Sequence, residues 1–308
     1  MLIIDDRYEV YIRDGENLEE DKLYKARDLH LDSLVYIKIL GNNKYMKESF
    51  LRNLIDESTM TLSLESINIA KILRVGNYNW DCYVVSEYFE AENLLDFVNN
   101  KKLKIRDLIF ITRQIISALK ICDENKMYHG SLRLDNILVN KNHTVKIYDL
   151  GITKANDGIN LRSNGNISFL CPHQLNVNYT DRESDFFAVG IILYYCLFKK
   201  MPFKINSNEF EMLKNIDRGL NFKENQITNS NKELVDIIKK LLDRKNKYKN
   251  YNEILIDLSE LMYAKANIVE NNIVDSNFET NKKKNTFLIK FISIIICVII
   301  LAMIILQM

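Results

Sequence analysis

The chain is 308 residues long, 47% hydrophobic and 27% charged, and its 42 basic and 41 acidic residues leave a formal net charge of +1. This is the composition of an ordinary globular protein with room for one large or two smaller domains, and it removes the case for nucleic acid held on a basic surface. Cys82, Cys122, Cys171, Cys196 and Cys297 are scattered without metal-ligand spacing and read as reduced structural cysteines of a cytosolic domain.

In chain order, residues 8–12 and 34–40 are short β-type runs separated by a polar, acidic loop. Residues 45–64 are expected to be helical, because Phe50, Leu51, Leu54 and Ile55 cluster at helical spacing. Strands are expected at 69–76 and 82–89 with a turn at Asn77-Tyr78-Asn79, then helices at 94–98 and 104–126. Two more strands flank the turn Lys141-Asn142-His143. An apolar helix spans 184–200, and further helices fall near 208–219, 231–243 and 251–264. A small β-rich part therefore precedes a large α-rich part, and no internal repeat is visible. Residues 267–285 are polar and rich in Asn, Glu and Lys, the composition of a flexible linker.

From Phe287 to Met308 the chain is apolar apart from Lys290. As a helix this run would span about 33 Å, enough for a hydrocarbon core, and Lys290 lies near enough to its start to snorkel toward headgroups. Lys282-Lys283-Lys284 places the preceding domain in the cytoplasm by the positive-inside rule. The opening of the chain has no basic n-region and no long apolar run, so no signal peptide is expected. The expectation is a single-pass protein of the cell membrane, anchored through residues 286–308.

The densest pattern is Tyr128-His129-Gly130-Ser131-Leu132-Arg133-Leu134-Asp135-Asn136, followed by Tyr148-Asp149-Leu150-Gly151. With Val35-Tyr36-Ile37-Lys38 upstream and Ser184-Asp185 with Gly190 downstream, these segments keep the order and spacing of a known set. The chain resembles the protein kinase superfamily, of the bacterial receptor-like Ser/Thr type, over about residues 8–264: catalytic loop, magnesium loop, V-A-I-K strand and S-D-x-x-x-x-G brace. The resemblance implies an α+β, bilobal fold with a β-rich N-lobe at 1–88, an α-helical C-lobe at 89–266, a basic linker at 267–285 and a membrane helix at 286–308. It implies Lys38 as the lysine that holds the α- and β-phosphates, paired with Glu57. It further implies a hinge from Ser86 through Glu87 to Phe89, Leu23 and Leu138 above and below the adenine, and Asn136 and Asp149 as magnesium ligands.

The departures are as informative as the matches. Ser131 stands where the catalytic aspartate should be, and a serine is neutral at pH 7 and cannot act as a carboxylate base. The glycine positions of the phosphate loop fall on Glu16, Leu18 and Asp21, where side chains block the approach of backbone amides to phosphate; Glu16, Glu19, Glu20 and Asp21 also repel a polyanion. Tyr36 takes the alanine position of the adenine roof, where its ring would fill purine space and join Leu23 and Leu138. Gly130 replaces the arginine that reads a phosphorylated activation loop. Cys171-Pro172-His173 stands for A-P-E, Lys247 for the arginine that pairs with it, Asn166 for a threonine and Arg133 for the catalytic-loop lysine. His129 reads as a packing histidine, and His30, His143 and His173 form no visible metal constellation.

The function expected is that of a membrane-anchored pseudokinase, a scaffold or allosteric regulator for an unidentified protein partner at the cytoplasmic face, with no nucleic acid and no cofactor. The kinases it resembles normally continue past their membrane helix into external sensor repeats; if the chain ends at Met308, a tail-anchored scaffold is expected. Two alternatives stay open: an active, non-standard Ser/Thr kinase relying on Asp149, Lys38 and positioning, or a sensor that binds ATP and magnesium without turnover.

Overall fold

The computed structural model describes residues 2–12, 17–41, 44–101, 103–162, 167–220, 227–229, 231–245 and 247–263. The chain divides into two units, residues 1–258 and residues 259–308; of the second, only the helical residues 259–263 are described.

Six antiparallel strands build the first layer: β1 (Leu2–Ile4), β2 (Tyr8–Val10), β3 (Leu23–Asp28), β4 (Ser33–Leu40), β5 (Ile72–Tyr78) and β6 (Asp81–Glu87), in the spatial order β1-β2-β3-β4-β6-β5. Alternation along β4 decides what each face does. Val35, Ile37 and Ile39 join Tyr8, Tyr24, Ala26, Tyr83 and Val85 in one apolar cluster. The intervening Tyr36, Lys38 and Leu40 point to the opposite face, so the chain's own period puts Tyr36 beside Lys38. The turn between β5 and β6 is Asn79-Trp80, both at positive φ, two residues later than the sequence implied.

The helix α1 (Phe50–Ser63) lies on the sheet: Phe50 and Leu54 are buried against Leu40, Ile72, Cys82 and Val84. The same cluster takes in Ile152, Ala155 and Leu161, so the segment after the magnesium-loop motif is part of the small-lobe core. β7 (Glu92–Asn93), β8 (Ile137–Val139) and β9 (Val145–Ile147) form a second, three-stranded sheet under the first helices of the larger part, α2 (Leu94–Asn100) and α3 (Ile105–Glu124). α4 (Ile152–Ala155), α5 (Pro172–Val177), α6 (Arg182–Phe198), α7 (Glu209–Asp217) and α8 (Lys232–Leu242) follow, and residues 251–258 are again helical.

α6 is buried around most of its circumference, which explains why its sequence shows no polar stripe. Gly190 lets it approach α8: a Cβ there would sit 2.8 Å from Leu242 and 3.0 Å from Leu241. Among the described residues no helix is long and apolar enough to cross a membrane. The anchor expected at 286–308 and the linker at 267–285 lie outside the described residues, as do Glu16 and Asn166.

Candidate functional site

The two sheets face one another across a cleft of about 420 Å³, lined among others by Leu23, Tyr36, Lys38, Ala91, Arg133 and Leu138. At its apolar end Leu23, Tyr36, Phe89 and Ala91 pack on Ala70, Leu138 and Tyr148. The Tyr36 ring lies 5.1 Å from that of Tyr88 and 5.5 Å, edge-on, from that of Tyr148. Its hydroxyl donates to the Phe89 carbonyl at 3.3 Å, and burial raises that phenol to about 12. Tyr148, fully buried, donates its own hydroxyl to the Glu87 carbonyl at 2.9 Å. Two backbone acceptors of the hinge are therefore used by the protein's own phenols. The Glu87 carboxylate is also engaged, accepting from Lys146 and from the Lys71 amide, each at 2.8 Å.

The catalytic-loop motif is held from below as expected. The buried Asp185 carboxylate accepts the backbone N–H groups of His129 at 2.9 Å and Gly130 at 2.8 Å. Gly130 sits at φ +69 with Thr180 and Thr153 filling the space beside it, and Asn160 and Gln174 both donate to its carbonyl at 2.8 Å. An arginine side chain has no room there. His129 is fully buried and held below its ordinary pKa by that burial; its Nε2–H donates to the Tyr148 carbonyl at 2.8 Å, leaving Nδ1 to accept from Ser131 N–H at 3.3 Å. It is a packing histidine. Both ends of the Asn136 amide are taken within the loop, Oδ1 by Arg133 N–H and Nδ2 by the Ser131 carbonyl, each at 2.9 Å.

Four buried charges meet at the polar end. Lys38 Nζ lies 2.6 Å from Asp149 Oδ2 and 3.2 Å from Asp21 Oδ1. The second Asp21 oxygen lies 2.9 Å from Arg133 Nη2, which also reaches Asp135 at 3.0 Å. Burial opposes charge on Lys38, but Asp149 and Asp21 outweigh it and leave the ammonium above its ordinary pKa. Burial likewise pushes Asp149 up, and the Lys38 ammonium more than reverses this. Glu57 is absent from this group. The pairing with Lys38 implied by the resemblance is not formed: Glu57 lies over Gly151, 3.2 Å from Lys154 Nζ of α4. Asn53 Nδ2 donates to the Ala155 carbonyl at 2.9 Å and Lys47 pairs with Asp157 at 2.5 Å, so α1 and the loop before it are tied to α4 and away from Lys38.

The place of Asp21 is what sequence reasoning missed. Expected to repel a polyanion, it also turns inward onto Lys38 and Arg133. The detectable signal was its residue type at a glycine position, because aspartate tolerates the left-handed backbone that glycine would adopt there, and Asp21 has φ +60. Tyr148 was missed too, since its role depends on where the Glu87 carbonyl lies. Beside Ser131 lies a void of about 40 Å³, also lined by Asn136, Asp149 and Thr153, room for a few waters.

At the A-P-E position His173 pairs with Asp181 at 3.2 Å, and Lys247 pairs with Glu183. The family's buried glutamate–arginine pair is thus replaced by two partly exposed ones. Carboxylate oxygens of Asp181 and Glu183 converge with a His173 nitrogen within 4.8 Å, a grouping the separated histidines of the sequence did not reveal, but His173 and Lys247 already supply their counter-charge.

A family model described as protein kinase domain matches residues 20–250. The chain is 29% identical over 266 residues to a "Probable serine/threonine-protein kinase" of Clostridium perfringens, covering 84% of this chain and 39% of that protein. It is 28% identical over 269 residues to the "Probable serine/threonine-protein kinase PknB" of Lactococcus lactis, covering 83% and 42%. It is 30% identical over 186 residues to the "Serine/threonine-protein kinase PrkC" of Bacillus subtilis, covering 59% and 29%. The chain thus spans about two-fifths or less of the length of these curated relatives.

Proposed function

We propose that this chain, which belongs to the protein kinase family, is a pseudokinase: it works by binding a protein partner and transfers little or no phosphate. The observation that carries this reading is the Tyr36 hydroxyl bonded to the Phe89 carbonyl, with its ring packed among Leu23, Leu138 and Tyr148. A purine needs that volume, and here one side chain fills it while Tyr36 and Tyr148 between them take two hinge carbonyls. Ser131 in place of the aspartate removes the group that would accept the substrate hydroxyl proton. ATP and magnesium do not fit the residues as they stand: two hinge carbonyls are taken by Tyr36 and Tyr148, Lys38 and Asp149 are engaged with each other, and the Asn136 amide is taken within its own loop.

Residues 286–308 would anchor this module in the cell membrane with residues 1–266 on the cytoplasmic side, supported by the apolar run from Phe287 and the three lysines before it. A module so placed is suited to scaffolding or allosteric control at the membrane. The deciding experiment is a melting curve of the purified chain with ADP or ATP and magnesium or manganese, alongside transfer of labelled phosphate. The expected result is no shift and no transfer. A shift without transfer would replace this reading with that of a nucleotide sensor, and Lys38-dependent autophosphorylation would overturn it in favour of an active kinase.

A further inference from the structure

The phosphate end of the cleft carries an occupant of its own, an inference that rests on the pseudokinase reading of the same site. Asp21 stands at the last glycine position of the loop between β2 and β3, and its backbone is still the one that position demands, φ +60 with its N–H donating to the Ile39 carbonyl at 2.8 Å. A backbone open to glycine here carries a carboxylate. That carboxylate is 11% exposed, and each oxygen takes a different cation, Lys38 of the small lobe at 3.2 Å and Arg133 of the catalytic loop at 2.9 Å.

The charges close without any ligand. Lys38 and Arg133 balance Asp21 and Asp149, Asp135 adds a further, half-exposed carboxylate on Arg133, and an incoming phosphate would have to displace Asp21 or place a like charge against these carboxylates. With Asp21 neutralised, the three enclosed groups Lys38, Arg133 and Asp149 carry one net positive charge, offset only by the half-exposed Asp135 carboxylate on the outer side of Arg133, and become an anion site. We propose that Asp21 is an internal ligand of the cleft: a carboxylate latch that ties the β2–β3 loop to the catalytic loop and excludes phosphate-bearing ligands.

The test uses the full chain with Asp21→Gly and Asp21→Asn. Both residues accept a left-handed backbone, so any loss reports the carboxylate and not backbone strain. The probe is inorganic tripolyphosphate, which needs no adenine pocket and is indifferent to Tyr36. Both variants are expected to melt below the wild type and to bind tripolyphosphate about tenfold more tightly or better, with an affinity that falls as salt rises. Arg133→Met is expected to lower the melting temperature without gaining anion affinity, and to add less loss to Asp21→Asn than to the wild type, because the two share a contact. Variants that melt with the wild type and keep its tripolyphosphate affinity would overturn the latch. Phosphate transfer by the wild type would overturn the pseudokinase reading through a separate measurement and leave the tripolyphosphate result standing.

Discussion

Single side chains decide the chemistry of this cleft, and each can be interrogated alone. Tyr36 contributes a ring and a hydroxyl separately. Tyr36→Phe removes only the bond to the Phe89 carbonyl and is expected to cost about 1 kcal/mol. Tyr36→Ala removes the ring as well and is expected to cost about 2 kcal/mol, less than the roughly 3–5 of a fully buried aromatic because this one is half-buried. The alanine variant should gain weak affinity for flat heteroaromatic kinase inhibitors; melting curves with and without such a compound read both effects, and equal stability with equal ligand response would mean the ring does not hold the pocket. Ser131→Asp supplies a carboxylate but neither frees the hinge nor moves Asp21, so labelled ATP should still give no transfer. His129 provides a pH test. Its folded pKa lies below 6.5, so the unfolded chain binds the extra proton, and its contribution is lost as pH falls through 6.5. The melting-temperature gap between wild type and His129→Gln should therefore widen as pH rises from 5 to 7, and a gap independent of pH would contradict a neutral, buried imidazole.

At the scale of elements the controlling contact is α1 against α4. Asn156 is fully buried; its Oδ1 accepts Lys47 N–H at 3.0 Å, and its Nδ2 donates to the carbonyls of Tyr45 at 2.8 Å and Ile159 at 3.0 Å. Asn156→Ala would leave three part-buried backbone groups without their side-chain partner, an expected loss of about 1–2 kcal/mol by chemical denaturation. Hydrogen exchange in the first turn of α1 should quicken at the same time, and unchanged exchange would show that the helix is held by its apolar face alone. Most elements were legible because their patterns are local: β4, β6, α3 and α6 fall within a few residues of their expected spans. β1 was not, being three residues long. β3 was not, because exposed Lys25 and Arg27 alternate with a buried set that ends in Asp28, an inward acid whose partner is Arg7 at 2.7 Å. α4 has four residues and no period to read, yet it takes Glu57 through Lys154, so the one pairing misassigned from sequence turns on the least legible helix.

For the whole molecule, the membrane proposal makes the plainest prediction. Truncation after Asn281 should release the chain from membranes, since no other segment approaches the roughly 18 apolar residues a span requires; a truncated chain that still pellets after a high-salt wash would refute a single anchor. The order of lobes and the brace at Asp185 were implied by the resemblance to protein kinases. What the cleft holds was not, because the partners of Lys38 come from positions 21 and 149, and no local rule joins those distances. The backbone of Asp21 also has a genetic consequence. Every aspartate codon becomes a glycine codon by a single base change, and φ +60 is already the conformation glycine would adopt there. No serine codon becomes an aspartate codon in fewer than two. Random mutation of the gene would therefore unlatch the cleft long before it could restore a base at Ser131, and the accessible first step away from the present protein is a phosphate binder, not a kinase.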